Sequence, residues 1–246
     1  MHRPSVGEAV DAAMAVVGDG GKAGFALGWT PKALKAAVPV YAVTSSGLGK
    51  LEIMVTYREC GCVIVNAEAL SAWLRQHTGA SDALLSIEPR YLFAYMLLHE
   101  LGHLRLDDTL LEGSAAGENT RNDSLNRDAT VQKERELRAD AFAAQAIKAA
   151  LAAGGTRGLA ASKIAMNLSA LAWNLSAHRI LDHFGATVVG APTIFWDFGR
   201  SHPNLEWRIL SVNHMISGSD KSKLLLDEFE ARRQTGPMQI YIVPAR

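Results

Sequence analysis

Residues 91–106 read YLFAYMLLHELGHLRL. As far as Leu98 the run is apolar on almost every side, so its pattern predicts a helix over 89–106 that lies inside the protein rather than on its surface. Its second half then carries His99, Glu100 and His103 into that interior. Burying three polar side chains with no shared purpose is costly. Histidines four residues apart stand one turn apart on one helical face, where both imidazoles can grip one metal ion, and HExxH is the pattern that does so with zinc. Glu100, about 100° round the helix from His99, is placed to act on a metal-activated water as general base. The alternative is a pair of core histidines hydrogen-bonded to backbone.

A catalytic zinc usually takes three protein ligands and leaves a fourth position to water. The extended HExxHxxGxxH form does not supply the third, because Leu106 stands at its glycine position and Thr109 at its ligand position. The segment KERELRADAFAAQAI, residues 133–147, offers Glu134, Glu136 and Asp140. At about 100° per residue, Asp140, Ala143 and Ile147 fall within about 40° of Glu136, whereas Glu134, Arg138 and Gln145 fall near the opposite side. Glu134 and Arg138 therefore read as a solvent-facing i,i+4 pair. Glu136 is the predicted third ligand, and Asp140 is predicted to accept a hydrogen bond from a zinc-bound histidine. The alternative is a buried acid pair salt-bridged to arginine.

HELGH followed by ELRAD resembles the gluzincin arrangement, HExxH with a later ExxxD. SHPNLEWRI, residues 201–209, resembles the SHP motif with its following arginine in zinc peptidases of the CAAX-endopeptidase and HtpX type. The resemblance implies His99, His103 and Glu136 as zinc ligands, Glu100 as general base, Asp140 behind a ligand, and His202 with Arg208 as substrate or transition-state contacts. Those relatives commonly carry membrane helices. No stretch here reaches the roughly 18 uninterrupted apolar residues such a helix needs, so the expectation is a soluble minigluzincin with no integral membrane segment. FAAQ after the aspartate is similar to the IrrE/ImmA type of regulatory protease, and phage-exclusion peptidases of the Lit type are another soluble HExxH group. Read without any family, Asn204 is a plausible N-cap, and Leu205, Ile209, Val212 and Ile216 form one stripe with Arg208 at its edge, able to reach a cleft. A surface arginine and a loop histidine are the plainer reading.

The rest of the chain supports an ordinary globular protein: 246 residues, 48% hydrophobic, with 25 basic and 25 acidic side chains cancelling. A balanced charge gives no broad attraction for nucleic acid or an anionic membrane. Cys60 and Cys62 are too close for a framework disulfide and read as small reduced core residues; with no signal peptide legible past Glu8 and Asp11, a cytoplasmic location is expected. A helix over 5–17, a glycine break at 18–24 and a helix over 29–37 precede three strands, 38–43, 51–57 and 60–65. Residues 44–50, including GLGK, are expected as a hairpin turn and 58–59 as a second one; GLGK lacks the residues of a P-loop. CGCVIVNA, residues 60–67, is expected to offer a strand edge to an extended peptide. Further helices are expected over 67–77, 131–153, 159–183, 205–217 and 221–234, and 238–243 as a strand or anchored tail. The helix over 159–183 carries two apolar stripes, which predicts that it is sandwiched, and its His178 and Asp182 read as a structural pair.

Strands first and helices afterwards make the fold α+β and zincin-like, a small N-terminal sheet packed on a mainly helical catalytic core. A single domain over 1–246 is expected, with a helical segment at 1–37 and a polar loop insert at 107–130 that serves as a lid or a processing segment. The expected function is a zinc-dependent endopeptidase acting on a peptide or protein substrate. A regulatory protease of one intracellular protein shares that chemistry. A catalytically inactive zinc-binding interaction protein does not, and Glu100 argues against it, since a structural site needs no base.

Overall fold

The structure, a computed structural model, describes residues 6–17, 25–27, 38–43, 54–57, 61–66, 68–69, 87–106, 121–184 and 205–235. It is an α+β fold in which a small sheet from the N-terminal part packs against a mainly helical core. The sheet is organised by the strand Cys62–Asn66, CVIVN, which is buried at Cys62, Val63, Val65 and Asn66. A strand buried on both faces belongs in the middle of a sheet. Numbered along the chain, the strands are β1 (Phe25–Leu27), β2 (Val38–Val43), β3 (Met54–Tyr57) and β4 (Cys62–Asn66), and their spatial order is β1-β2-β4-β3. β4 runs parallel to β2, with Val40 opposite Val63, and antiparallel to β3, with Thr56 opposite Val63.

This order corrects two expectations. β2 and β3 are not neighbours, so residues 44–50 do not close a hairpin; those residues themselves lie outside the described set. Nor does β4 offer an edge, since both its sides are paired; among the described residues β1 and β3 are the terminal strands. The apolar run of β4 suits a central place because it is buried on both faces. β1 was not legible, three residues being too few to show a period. Cys62 is disulfide-bonded, which corrects the reading of two reduced cysteines; Cys60 lies outside the described residues.

Among the helices, α1 (Val6–Val17) and α2 (Pro89–Arg105) pack directly on each other. Pro89 occupies the first turn of α2, where its missing N–H costs nothing. The helix buries Tyr91 to Tyr95, Leu97 to Leu101 and Gly102, so it is central, and α1, α3, α4 and β3 surround it. α3 (Arg121–Ala153) and α4 (Gly155–Phe184) meet at Gly154 and Gly155, with φ of 65° and 59°. Two successive left-handed residues stop one helix and redirect the chain into the next. α5 (Leu205–Ser217) lies on α3 and α4, and α6 (Asp220–Thr235) on α5.

Residues 121–130 belong to α3, so the polar insert expected over 107–130 is helical in its last part; 107–120 lie outside the described residues. RNDSLNRDAT contains neither glycine nor proline, and a helix already nucleated by its packed half extends at one hydrogen bond per residue. The sandwiching expected for α4 also fails at Met166, which is 67% exposed, while Ile164, Leu168 and Leu171 are buried. The expected helices over 29–37 and 67–77, apart from 68–69, and the run 238–243 lie outside the described residues, as do the side chains of His178 and Asp182. None of the described helices is long and apolar enough to cross a membrane.

Candidate metal centre

α2 and α3 cross at Gly102. A Cβ built there would stand 3.0 Å from the Ala139 Cα and 3.1 Å from its carbonyl oxygen, so only glycine allows the two backbones this close. The close crossing brings Glu136 and Asp140, one turn apart on α3, against His99 and His103, one turn apart on α2. The face of α3 is the one its sequence pattern implies: Glu136, Asp140, Ala143 and Ile147 are buried, and Glu134, Arg138 and Gln145 are exposed.

The Nε2 atoms of His99 and His103 are 3.1 Å apart. Glu136 places Oε2 3.3 Å from His99 Nε2 and Oε1 3.4 Å from His103 Nε2. One ligand atom from each of the three residues lies within 4.8 Å of the others. Donors on arms of about 2.0–2.1 Å at tetrahedral angles stand about 3.3 Å apart, so this two-nitrogen, one-carboxylate set fits a zinc ion. His103 is the most exposed of the three, its side chain 18% accessible.

Behind the triad Asp140 is the hub. His99 Nδ1 donates to its Oδ1 at 2.8 Å, which leaves Nε2, facing Glu136 and His103, as the nitrogen a metal would take in place of its proton. The Tyr95 hydroxyl, one turn before His99 on α2, donates to the same oxygen at 2.8 Å. From α5, Arg208 donates through Nε to Asp140 Oδ2 at 2.7 Å and through a terminal nitrogen to Oδ1 at 2.9 Å, while its other terminal nitrogen is 2.8 Å from Glu136 Oε2. Its side chain is only 12% accessible. The arginine partner considered as an alternative to metal ligation is thus present together with the triad.

The charges follow from these contacts. Burial works to lower the His99 pKa, but its hydrogen bonds to Asp140 and Glu136 outweigh burial and hold it up at about 9. Burial likewise opposes ionisation of Asp140, yet hydrogen bonds from His99 and Arg208 bring it down to about 2. Glu136 is pulled well below the usual carboxylate range against its burial, by hydrogen bonds from His103 and His99 and by the Arg208 charge. Burial and the Asp140 charge push the Tyr95 phenol well up, so it remains a hydrogen-bond donor.

Glu100, buried on α2 next to this cluster, accepts a hydrogen bond at Oε2 from the Thr56 hydroxyl of β3. The structure therefore gathers His99, His103, Glu136, Asp140 and Arg208 into one network and sets Glu100 beside it; His202 and Asn204 lie outside the described residues. Tyr95, Gly102 and Thr56 escaped sequence reasoning. Tyr95 was findable, standing four residues before His99 on one face. Thr56 was not, since nothing in a strand 44 residues upstream marks its partner.

The model of one family, Peptidase U49, matches residues 91–227, more than half of the chain and the whole of this cluster. The chain belongs to the Peptidase U49 family. Membership and the His99, His103 and Glu136 triad together make it a zinc-dependent peptidase whose HExxH motif lies on α2. No match was found among curated proteins or among solved structures.

Proposed function

We propose that the protein is an endopeptidase holding one zinc ion per chain through His99, His103 and Glu136, with Glu100 as its general base. The observation that carries this is the convergence of three donors at tetrahedral spacing, with His99 locked by Asp140 in the tautomer a metal needs. Bound there, zinc would supply Lewis acidity to a water and to the scissile carbonyl. Glu100 takes the proton from the attacking water as the C–O bond forms and returns it to the leaving amine as the C–N bond breaks. Developing negative charge on the carbonyl oxygen needs a further donor, and His202 is the residue proposed for it. For Arg208 the geometry supports bracing ahead of substrate contact, because its Nε and both terminal nitrogens are directed at Asp140 and Glu136. The outer edge of β3, unpaired among the described residues, is the proposed seat of an extended peptide.

The finer resemblance, a soluble gluzincin of the CAAX-endopeptidase and HtpX type, is retained as part of this reading, supported by Glu136 and Asp140 standing where ExxxD requires. A single peptidase domain over 1–246 is supported by β3, α2, α3 and α5 all contributing to one centre. Metal analysis of purified protein and hydrolysis of a degenerate internally quenched peptide pool test the proposal together. Wild type should carry one zinc and cut the pool; Glu100→Gln should keep the zinc and lose about 100-fold or more in kcat. Protein that neither contains zinc nor takes it up would end this reading.

A further inference from the structure

Met54 and Thr56 lie two apart on β3 and so share one face of the strand; Met54 is buried in the core, and that face packs on α2. The Thr56 hydroxyl meets Glu100 Oε2 there. Glu100 has three side-chain torsions, and a carboxylate that must take a proton from one atom and deliver it to another acts from one orientation. The helix that carries Glu100 fixes its Cα but not its carboxylate. A donor on a second element does that, and threonine suits it, because its branched Cβ restricts χ1 and places the hydroxyl.

We propose that Thr56 is a positioning residue for peptide hydrolysis: its hydroxyl pins Oε2 of Glu100 and leaves Oε1 as the oxygen that exchanges the proton. The inference rests on Glu100 being the general base. It also makes the terminal strand β3 part of the catalytic machinery, because displacement of β3 would carry the hydroxyl away from Glu100.

The test uses zinc-loaded full-length protein with a peptide selected from the degenerate quenched pool, and the metal-free protein for unfolding. Thr56→Val should keep its zinc and its KM but lose about tenfold in kcat, the scale of one hydrogen bond to a charged group. Thr56→Ser, which retains the hydroxyl, should recover most of that loss. Thr56→Val should also lower the midpoint of thermal unfolding in the parent and do so markedly less in a Glu100→Ala background, since the partner is then gone. Wild-type kcat in Thr56→Val, or equal midpoint shifts in both backgrounds, overturns the proposal. A pool left uncut by wild-type protein would instead sink the endopeptidase reading, and the unfolding cycle would still decide whether Thr56 and Glu100 are coupled.

Discussion

The two sides of the centre are built differently. On the helical side, His99, Glu136, Asp140, Tyr95 and Arg208 come from three helices and hold one another through several charge-assisted hydrogen bonds. On the strand side, among the described residues, one hydroxyl from β3 meets Glu100. A ligand set must keep one geometry whether or not the ion is present, so redundancy serves it. A base must exchange protons, and one light restraint orients it without tying up both oxygens. Rigidity and adjustability are thus divided between two faces of one helix.

Removing a member of the helical network should have the largest effect. Arg208→Ala leaves Asp140 and Glu136 buried with a cation missing, and urea unfolding of the metal-free protein should show a loss of about 3–5 kcal/mol. A small change would mean that the arginine does not brace the acids, and a fall in kcat with stability and zinc intact would return it to substrate contact. Next in size, Glu136→Ala should abolish stoichiometric zinc while exposed Glu134→Ala leaves it unchanged, as metal titration would show. The opposite order would contradict the phase of α3. Asp140→Asn should weaken zinc by about 10- to 100-fold, read by competition with a chelator, because a neutral amide lacks the negative charge that makes the His99 imidazole a more basic ligand. Equal zinc affinity would remove Asp140 from the comparison.

The most diagnostic effect is with pH. His99 is held at about 9 in the folded, metal-free protein, against about 6.5 when unfolded, so its contribution to stability is complete below about 6.5 and is lost as pH rises through about 9. Asp140 and Glu136 are depressed, so their contribution is lost only in strong acid and stays constant over that window. Zinc must displace the His99 proton, so its apparent affinity should rise over the same range in which metal-free stability falls. Chelator competition and urea midpoints between pH 6.5 and 9 would show the two trends; parallel trends would place the exchanged proton elsewhere.

Much of the helical side was legible, and little of the strand side. His99, Glu100 and His103 announce themselves by motif, and Glu136 and Asp140 follow because the 3.6-residue period tells which acids on α3 face inward. Arg208 could be placed on the edge of its stripe but not paired, since its partners lie on another helix. The limits of α3 were misjudged because polarity suggests a loop, whereas continuation of a packed helix depends on what anchors it. Strand order went wrong for a similar reason. Adjacent strands joined by a glycine-rich segment suggest a hairpin, but burial on both faces of β4 decides which strand is central.

By itself, then, the sequence determined the local features: the helix that carries the metal motif, the inward face of α3, and the residue types able to hold and use zinc. These depend on periodicities of a few residues. Only the tertiary structure decided the crossing at Gly102 that makes the two helices one centre, the exchange of strand neighbours, the closure of Asp140 by Tyr95 and Arg208, and the hydroxyl of Thr56 on Glu100. Each of these joins residues far apart along the chain, and no local period records which partner packing will bring to a side chain.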